Sequence, residues 1–120
     1  MYNLTDLANK VIQTASQFAS QYGGEVGTEH ILYALTKVDS KSKKLLKAYR
    51  VDSEIVKQIL DGVANGIPSN VVELTPRSKE LLMIASSVAK RTHSAYISTE
   101  HLLVALLSQE DSFAINILAG

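Results

Sequence analysis

The chain has 120 residues, enough for one domain that buries roughly two-thirds of its unfolded surface. Twelve Lys and Arg residues balance twelve Asp and Glu residues, so no global field steers the chain toward nucleic acid or membrane. It has no cysteine, which excludes disulfides, thiolate metal sites and a cysteine nucleophile. No apolar run approaches the ~20 residues of a membrane span, and the N-terminus lacks a basic-then-apolar signal pattern; a cytoplasmic location is expected.

Thr5 followed by Asp6 reads as a helix N-cap with a carboxylate in the first turn. Val11, Ala15, Phe18, Ala19 and Tyr22 recur at helical spacing, and Gly23-Gly24 ends the run. A second helix begins near Thr28 with Ile31, Leu32 and Leu35 inward. Ser40 caps a third helix holding Leu45, Leu46 and Tyr49. Asp52 or Ser53 caps a fourth, with Ile55, Val56, Ile59 and Leu60 inward and Gly62 and Gly66 past its end. Ile67-Pro68-Ser69-Asn70 is a turn-rich connector. The pattern restarts at Leu74-Thr75-Pro76, with Pro in the first helical position. Ser108-Gln109-Glu110-Asp111 fits a capping box ahead of Phe113, Ile115, Ile117 and Leu118.

The chain repeats itself. Thr28-Glu29-His30-Ile31-Leu32-Tyr33-Ala34-Leu35 returns 71 residues later as Thr99-Glu100-His101-Leu102-Leu103-Val104-Ala105-Leu106, with six of eight positions identical. At an offset of 70, Leu4, Thr5, Ala15, Ser16 and Ala19 match Leu74, Thr75, Ala85, Ser86 and Ala89. This is the signature of a duplicated unit: an all-α single domain over 1–120, with repeat 1 at about 3–66, a linker at about 67–73 and repeat 2 at about 74–120. Leu118 corresponds to Leu46, so nothing in the second copy answers to Tyr49 or to a helix around 55–60. The second repeat reads as lacking its last helix, and the chain as part of a longer protein.

Gly27-Thr28-Glu29-His30-Ile31-Leu32, Leu74-Thr75-Pro76-Arg77 and Ser98-Thr99-Glu100-His101-Leu102-Leu103 together resemble the duplicated N-terminal domain of the Clp/Hsp100 AAA+ unfoldases, most closely the ClpC type. The resemblance covers essentially the whole chain. It implies two pseudo-twofold repeats of a four-helix unit, a non-enzymatic module that receives protein substrates and adaptor proteins above a hexameric ATPase ring, and a Clp protease reached through that ring. The isolated domain is expected to be monomeric. The alternative is a stand-alone adaptor with the same fold and no ATPase in cis. In the ClpC type the module also binds phosphorylated arginine, and the glutamates of the two Thr-Glu-His motifs face the guanidinium; by motif position these are Glu29 and Glu100. The ClpC type has Thr-Glu-Arg where this chain has Thr5-Asp6-Leu7, whereas Arg77 is present in the second copy; Gly27 is replaced by Ser98.

The residues suit that chemistry. A phosphoarginine offers a guanidinium-derived end that wants a carboxylate and a phosphate that wants N–H groups or cations. Glu29 and Glu100 each stand in the first turn of a helix, and the helix starts at Thr5 and Thr75, with Arg77, are candidates for the phosphate. One carboxylate and one helix start per repeat would give two equivalent pockets. On spacing alone, a first-turn glutamate is also an ordinary choice for the helix dipole.

Other signals point elsewhere. His30 and His101 follow the glutamates, but adjacent helical residues diverge by about a hundred degrees and do not chelate; no metal is expected, and the histidines read as buried, hydrogen-bonded residues that fix the repeat interface. His93 falls in a loop. Lys41, Lys43, Lys44, Lys47 and Arg50 form a run without an acid, read as a solvated helix face; no nucleic-acid partner is expected. There is no G-x-x-x-x-G-K-[ST] loop and no nucleophile elbow. No catalytic residue and no cofactor are expected in this domain, with ATP bound by other modules of the parent protein.

Overall fold

Residues 2–63, 66–110 and 112–119 are described by a computed structural model. Thr5 opens α1 (Asp6–Ser20), its Oγ1 accepting the Ala8 N–H at 3.1 Å, which satisfies one of the donors that a helix start leaves unpaired. Ala8, Val11, Ala15, Phe18 and Ala19 form the buried face. Gly23 and Gly24 then take φ of 105° and 87°; at Gly24 a Cβ would also collide with the Val71 carbonyl, so only glycine fits. β1 (Glu25–Val26), α2 (Thr28–Lys37), α3 (Lys41–Ala48) and α4 (Ser53–Val63) follow. Ser40 caps α3 through the Lys43 N–H at 3.2 Å, and Asp52 caps α4 through the Ile55 N–H at 3.0 Å.

The second half comprises β2 (Glu73–Leu74), α5 (Pro76–Arg91), α6 (Thr99–Ser108) and α7 (Phe113–Ala119). Its buried positions duplicate the first: Ala85 answers Ala15, Ala89 answers Ala19, and Leu102, Leu103 and Leu106 answer Ile31, Leu32 and Leu35, all within one core. The fold is all-α, with α1 packed on α2, α5 on α6, and α2 and α6 also in contact.

Some expectations are corrected. Ile55 and Ile59 are exposed rather than inward, while Val56 and Leu60 are buried as expected; on α3, Leu46 is buried and Leu45 and Tyr49 are exposed. A short helix has one contact stripe, and helical spacing alone does not say which of two apolar stripes it is. Gly62 lies inside α4, not past its end. The capping box ahead of α7 is misplaced: α6 continues through Ser108, whose hydroxyl donates to the Val104 carbonyl at 2.7 Å, and Ser112 caps α7 through the Ile115 N–H at 3.1 Å. Asp111 and the Phe113 side chain lie outside the described residues.

The two halves are joined by a reciprocal main-chain exchange. β1 pairs in parallel with β2, Glu25 opposite Glu73 and Val26 opposite Leu74. The mirror relation is the parallel bridge between Leu4 and Ile97. The Thr75 N–H donates to the Val26 carbonyl at 3.1 Å, and the Thr5 N–H donates to the Ile97 carbonyl at 2.9 Å. Each long helix is therefore anchored at its start by the segment that leads into the other repeat's Thr-Glu-His helix.

Candidate functional site

The starts of α2 and α6 carry the two carboxylates. Gly27 and Ser98 are the N-caps, Thr28 and Thr99 the buried first helical residues, and Glu29 and Glu100 the next. At the third position a histidine turns back on the cap: His30 Nδ1 accepts the Gly27 N–H at 2.9 Å, and His101 Nδ1 accepts the Ser98 N–H at 3.0 Å. This is the return half of a capping box, with imidazole where glutamate or glutamine usually serves. An accepting Nδ1 leaves Nε2 as the protonated nitrogen; in His101 it lies 3.1 Å from Thr92 Oγ1. His30 instead meets the ring of Phe18 edge-on, centroids 5.8 Å apart.

Both histidines are half-buried, and these partners all belong to their own repeat. They hold their own helix starts, and the expected role at the repeat interface is corrected, because the third helical position directs the ring back to its own cap. Burial pushes the His30 imidazole below its ordinary range, against the pull of the Glu29 carboxylate.

The two carboxylates are not equivalent. Glu29 is half-buried and folds back over Gly27: a Cβ there would collide with Glu29 Oε1 and lie 3.0 Å from Oε2. Ser98 has that Cβ. Its hydroxyl caps the His101 N–H at 3.3 Å, and Glu100 is exposed, accepting the Thr99 hydroxyl at 3.2 Å. A single side-chain atom thus decides whether the carboxylate lies over its own helix start or stands out in solvent.

The crossed exchange settles which helix starts lie together. Val26, three residues before Glu29, receives the Thr75 N–H; Ile97, three before Glu100, receives the Thr5 N–H. Glu29 therefore shares its neighbourhood with the start of α5 and Glu100 with that of α1. The main chain thus sets each Thr-Glu-His segment beside the long-helix start of the other repeat rather than that of its own.

Thr5 Oγ1 is engaged by the Ala8 N–H. Thr75 Oγ1 accepts the Ser78 N–H at 3.2 Å and donates to Ser78 Oγ at 3.1 Å. Ser78, fully buried, passes the chain on by donating to the Val26 carbonyl at 2.7 Å. Arg77 is held along the end of α6, one guanidinium nitrogen 3.1 Å from Glu80 Oε1 and another on the Glu110 carbonyl. Gln109 supports it, donating to the Arg77 carbonyl at 2.7 Å. Leu7, the counterpart of Arg77, is exposed.

Sequence reasoning did not single out Ser78 or the buried Thr28, whose Oγ1 accepts the Ala114 N–H at 3.4 Å and ties α7 to the start of α2. Their signal was faint: a hydroxyl in the first turn reads as a surface cap. Among the described residues no group of three or more His, Asp and Glu could hold a metal ion, and no helix is long and apolar enough to cross a membrane.

Comparison with known proteins gives a consistent result. Residues 3–120 match the model of the Clp repeat (R) N-terminal domain. The negative regulator of genetic competence ClpC/MecB of Bacillus subtilis (strain 168) is 30% identical over 118 residues, covering 95% of this chain and 15% of that protein. The chain thus spans about 15% of the length of the curated relatives it matches. The Hsp104 N-terminal domain from Candida albicans superposes with a TM-score of 0.81 at 22% identity, covering 98% of this chain and 80% of that one. A ClpV N-domain in complex with a VipB peptide gives 0.77 at 22% identity, covering 98% and 78%.

Proposed function

The chain belongs to the Clp repeat N-terminal domain family, and on that footing we propose that it is the recognition module of an ATP-dependent Clp unfoldase, receiving protein substrates and adaptors and carrying no chemistry of its own. The parent would be a hexameric AAA+ ATPase working with a Clp protease. Peptide binding by a similarly folded ClpV N-domain supports the general role.

The ligand chemistry we propose for the composite pockets is phosphoarginine. The observation that carries it is the crossed exchange, which gives the Glu29 and Glu100 carboxylates each a second helix start supplied by the other repeat. A carboxylate suits the guanidinium end, and unpaired first-turn N–H groups suit the phosphate. The pocket at Glu29 is the better equipped: its carboxylate lies over the helix start, and Arg77 on the neighbouring α5 would reach a phosphate there by leaving Glu80 and the Glu110 carbonyl. At Glu100 the position answering to Arg77 is Leu7, so that pocket is expected to bind more weakly.

Calorimetry with a phosphoarginine peptide tests this. Glu29→Ala with Glu100→Ala is expected to abolish binding without lowering Tm, and Glu29→Ala alone to remove the larger part. Equal binding by wild type and the double variant would discard the assignment.

A further inference from the structure

The strongest charge concentration lies on α3 rather than at the carboxylate sites. Lys41, Lys44 and Lys47 are exposed along this helix with Arg50 just beyond it, and among the described residues none has an acidic partner. Lys43 is bridged to Asp39 at 2.8 Å. The hydrogen bond from Lys43, with the charges of Lys43, Lys10 and Lys44, holds the Asp39 carboxyl below the usual carboxylate range. One carboxylate thus stands against a cluster of cations in a chain whose total charge is zero. Asp39, Ser40 and the four lysines line a cleft of ≈ 500 Å³.

Folding alone gives no reason for this arrangement. Lys41, Lys43 and Lys44 crowd the first turns of α3, where the dipole favours anions, and no acid is present there. Lys41 and Lys44, Lys43 and Lys47, and Lys44 and Lys47 are like-charge neighbours at helical spacing. Apolar side chains also stand on this surface: Leu45 is 51% exposed and Tyr49 76%. A sugar-phosphate backbone leaves such groups uncovered, whereas a peptide can pair carboxylates with the lysines and lay apolar side chains on Leu45 and Tyr49.

The geometry points to the α3 face as a docking surface for an acidic, apolar-interspersed segment of a partner protein. At a rise of about 1.5 Å per residue, α3 is roughly 12 Å long, the reach of about four residues of extended chain. The surface is independent of the ligand proposed for Glu29 and Glu100.

The test is fluorescence anisotropy on the 120-residue chain, with a labelled peptide alternating Glu and Leu as the probe. Wild type is expected to bind it, more weakly as salt rises. The variant carrying Lys41→Glu, Lys44→Glu and Lys47→Glu is expected to bind about tenfold or more weakly. It should fold, because glutamate at 41 and 44 suits the start of α3 and offsets the unfavourable glutamate at 47 in its last turn, and circular dichroism checks this. A peptide with Lys in place of Glu should show the opposite preference, and Leu45→Ser should weaken the acidic peptide without changing the salt dependence. Equal binding by wild type and the triple variant, or no binding by wild type, overturns the proposal. So does tighter binding of a single-stranded oligonucleotide or of anionic vesicles than of the peptide.

Discussion

Reciprocal substitution at positions 78 and 8 isolates the worth of one hydrogen bond across the repeats. Ser78 and Ala8 are counterparts, and both are 0% exposed. In Ser78→Ala, the Val26 carbonyl keeps the Thr75 N–H at 3.1 Å, so no acceptor is orphaned. Ala8 shows that a methyl fills the equivalent position. What is lost is the buried hydrogen bond to the Val26 carbonyl, about 1 kcal/mol, together with the bond from the Thr75 hydroxyl to Ser78 Oγ, which water can replace because Thr75 is half-buried. With an unfolding entropy of roughly 2.1 cal/mol/K per residue, the whole chain gives about 250 cal/mol/K, so Tm should fall by ~4 °C. In Ala8→Ser the pseudo-twofold puts a hydroxyl at the Ile97 carbonyl, which already receives the Thr5 N–H; Tm should hold or rise by up to ~4 °C. Differential scanning calorimetry on both variants decides. A Ser78→Ala protein melting with wild type would refute the reasoning, as would an Ala8→Ser protein destabilised by the ~1–3 kcal/mol of an unsatisfied buried hydroxyl.

Gly27→Ser should displace the Glu29 carboxylate and turn the first pocket into a copy of the second. Phosphoarginine-peptide affinity should fall about tenfold or more, the worth of a charge-assisted hydrogen bond, while stability moves by only a few tenths of a kcal/mol because serine and glycine are both good N-caps; unchanged affinity in calorimetry would count against the pocket. His30 gives a pH prediction. Burial lowers its folded-state pKa, so the unfolded chain takes the proton first as pH falls. Its contribution to stability is full above the ordinary value of about 6.5 and is lost as pH falls from there through the lower folded value. Glutamine at this position keeps a cap acceptor and does not titrate, so the Tm of His30→Gln should decline less between about pH 7 and pH 5.5. Superimposable Tm–pH curves would exclude a role for His30 protonation.

The parts of the fold that were legible in the sequence are those decided within a few residues. Thr5, Ser40 and Thr75 cap the helices expected of them, because a cap needs only a hydroxyl and the next three amides. The long helices were legible from their repeated apolar faces. Ser108 misled because the apolar run before it carries α6 one turn further than the cap pattern suggests. Ile55 and Ile59 misled because an apolar residue on a short helix can face solvent as readily as the core. The glutamates could be named from their motif, but the crossing of the repeats could not. It is made by main-chain groups of Val26 and Leu74 or Leu4 and Ile97, far apart in sequence, and main-chain bonding leaves no residue signature.

That crossing makes neither half self-sufficient. A lone repeat would show an open backbone edge at its Leu-Thr segment and another before its Thr-Glu-His helix. Each has the right partner only in a second repeat turned about a twofold axis. The domain is in effect a homodimer written on a single chain, with the 67–73 connector standing in for association. Its assembly therefore does not weaken on dilution, since the second half is always present at the effective concentration that a short tether sets. The same tether frees the two halves from identity. Positions such as Gly27 and Ser98, or Arg77 and Leu7, can differ, as no true symmetric dimer allows.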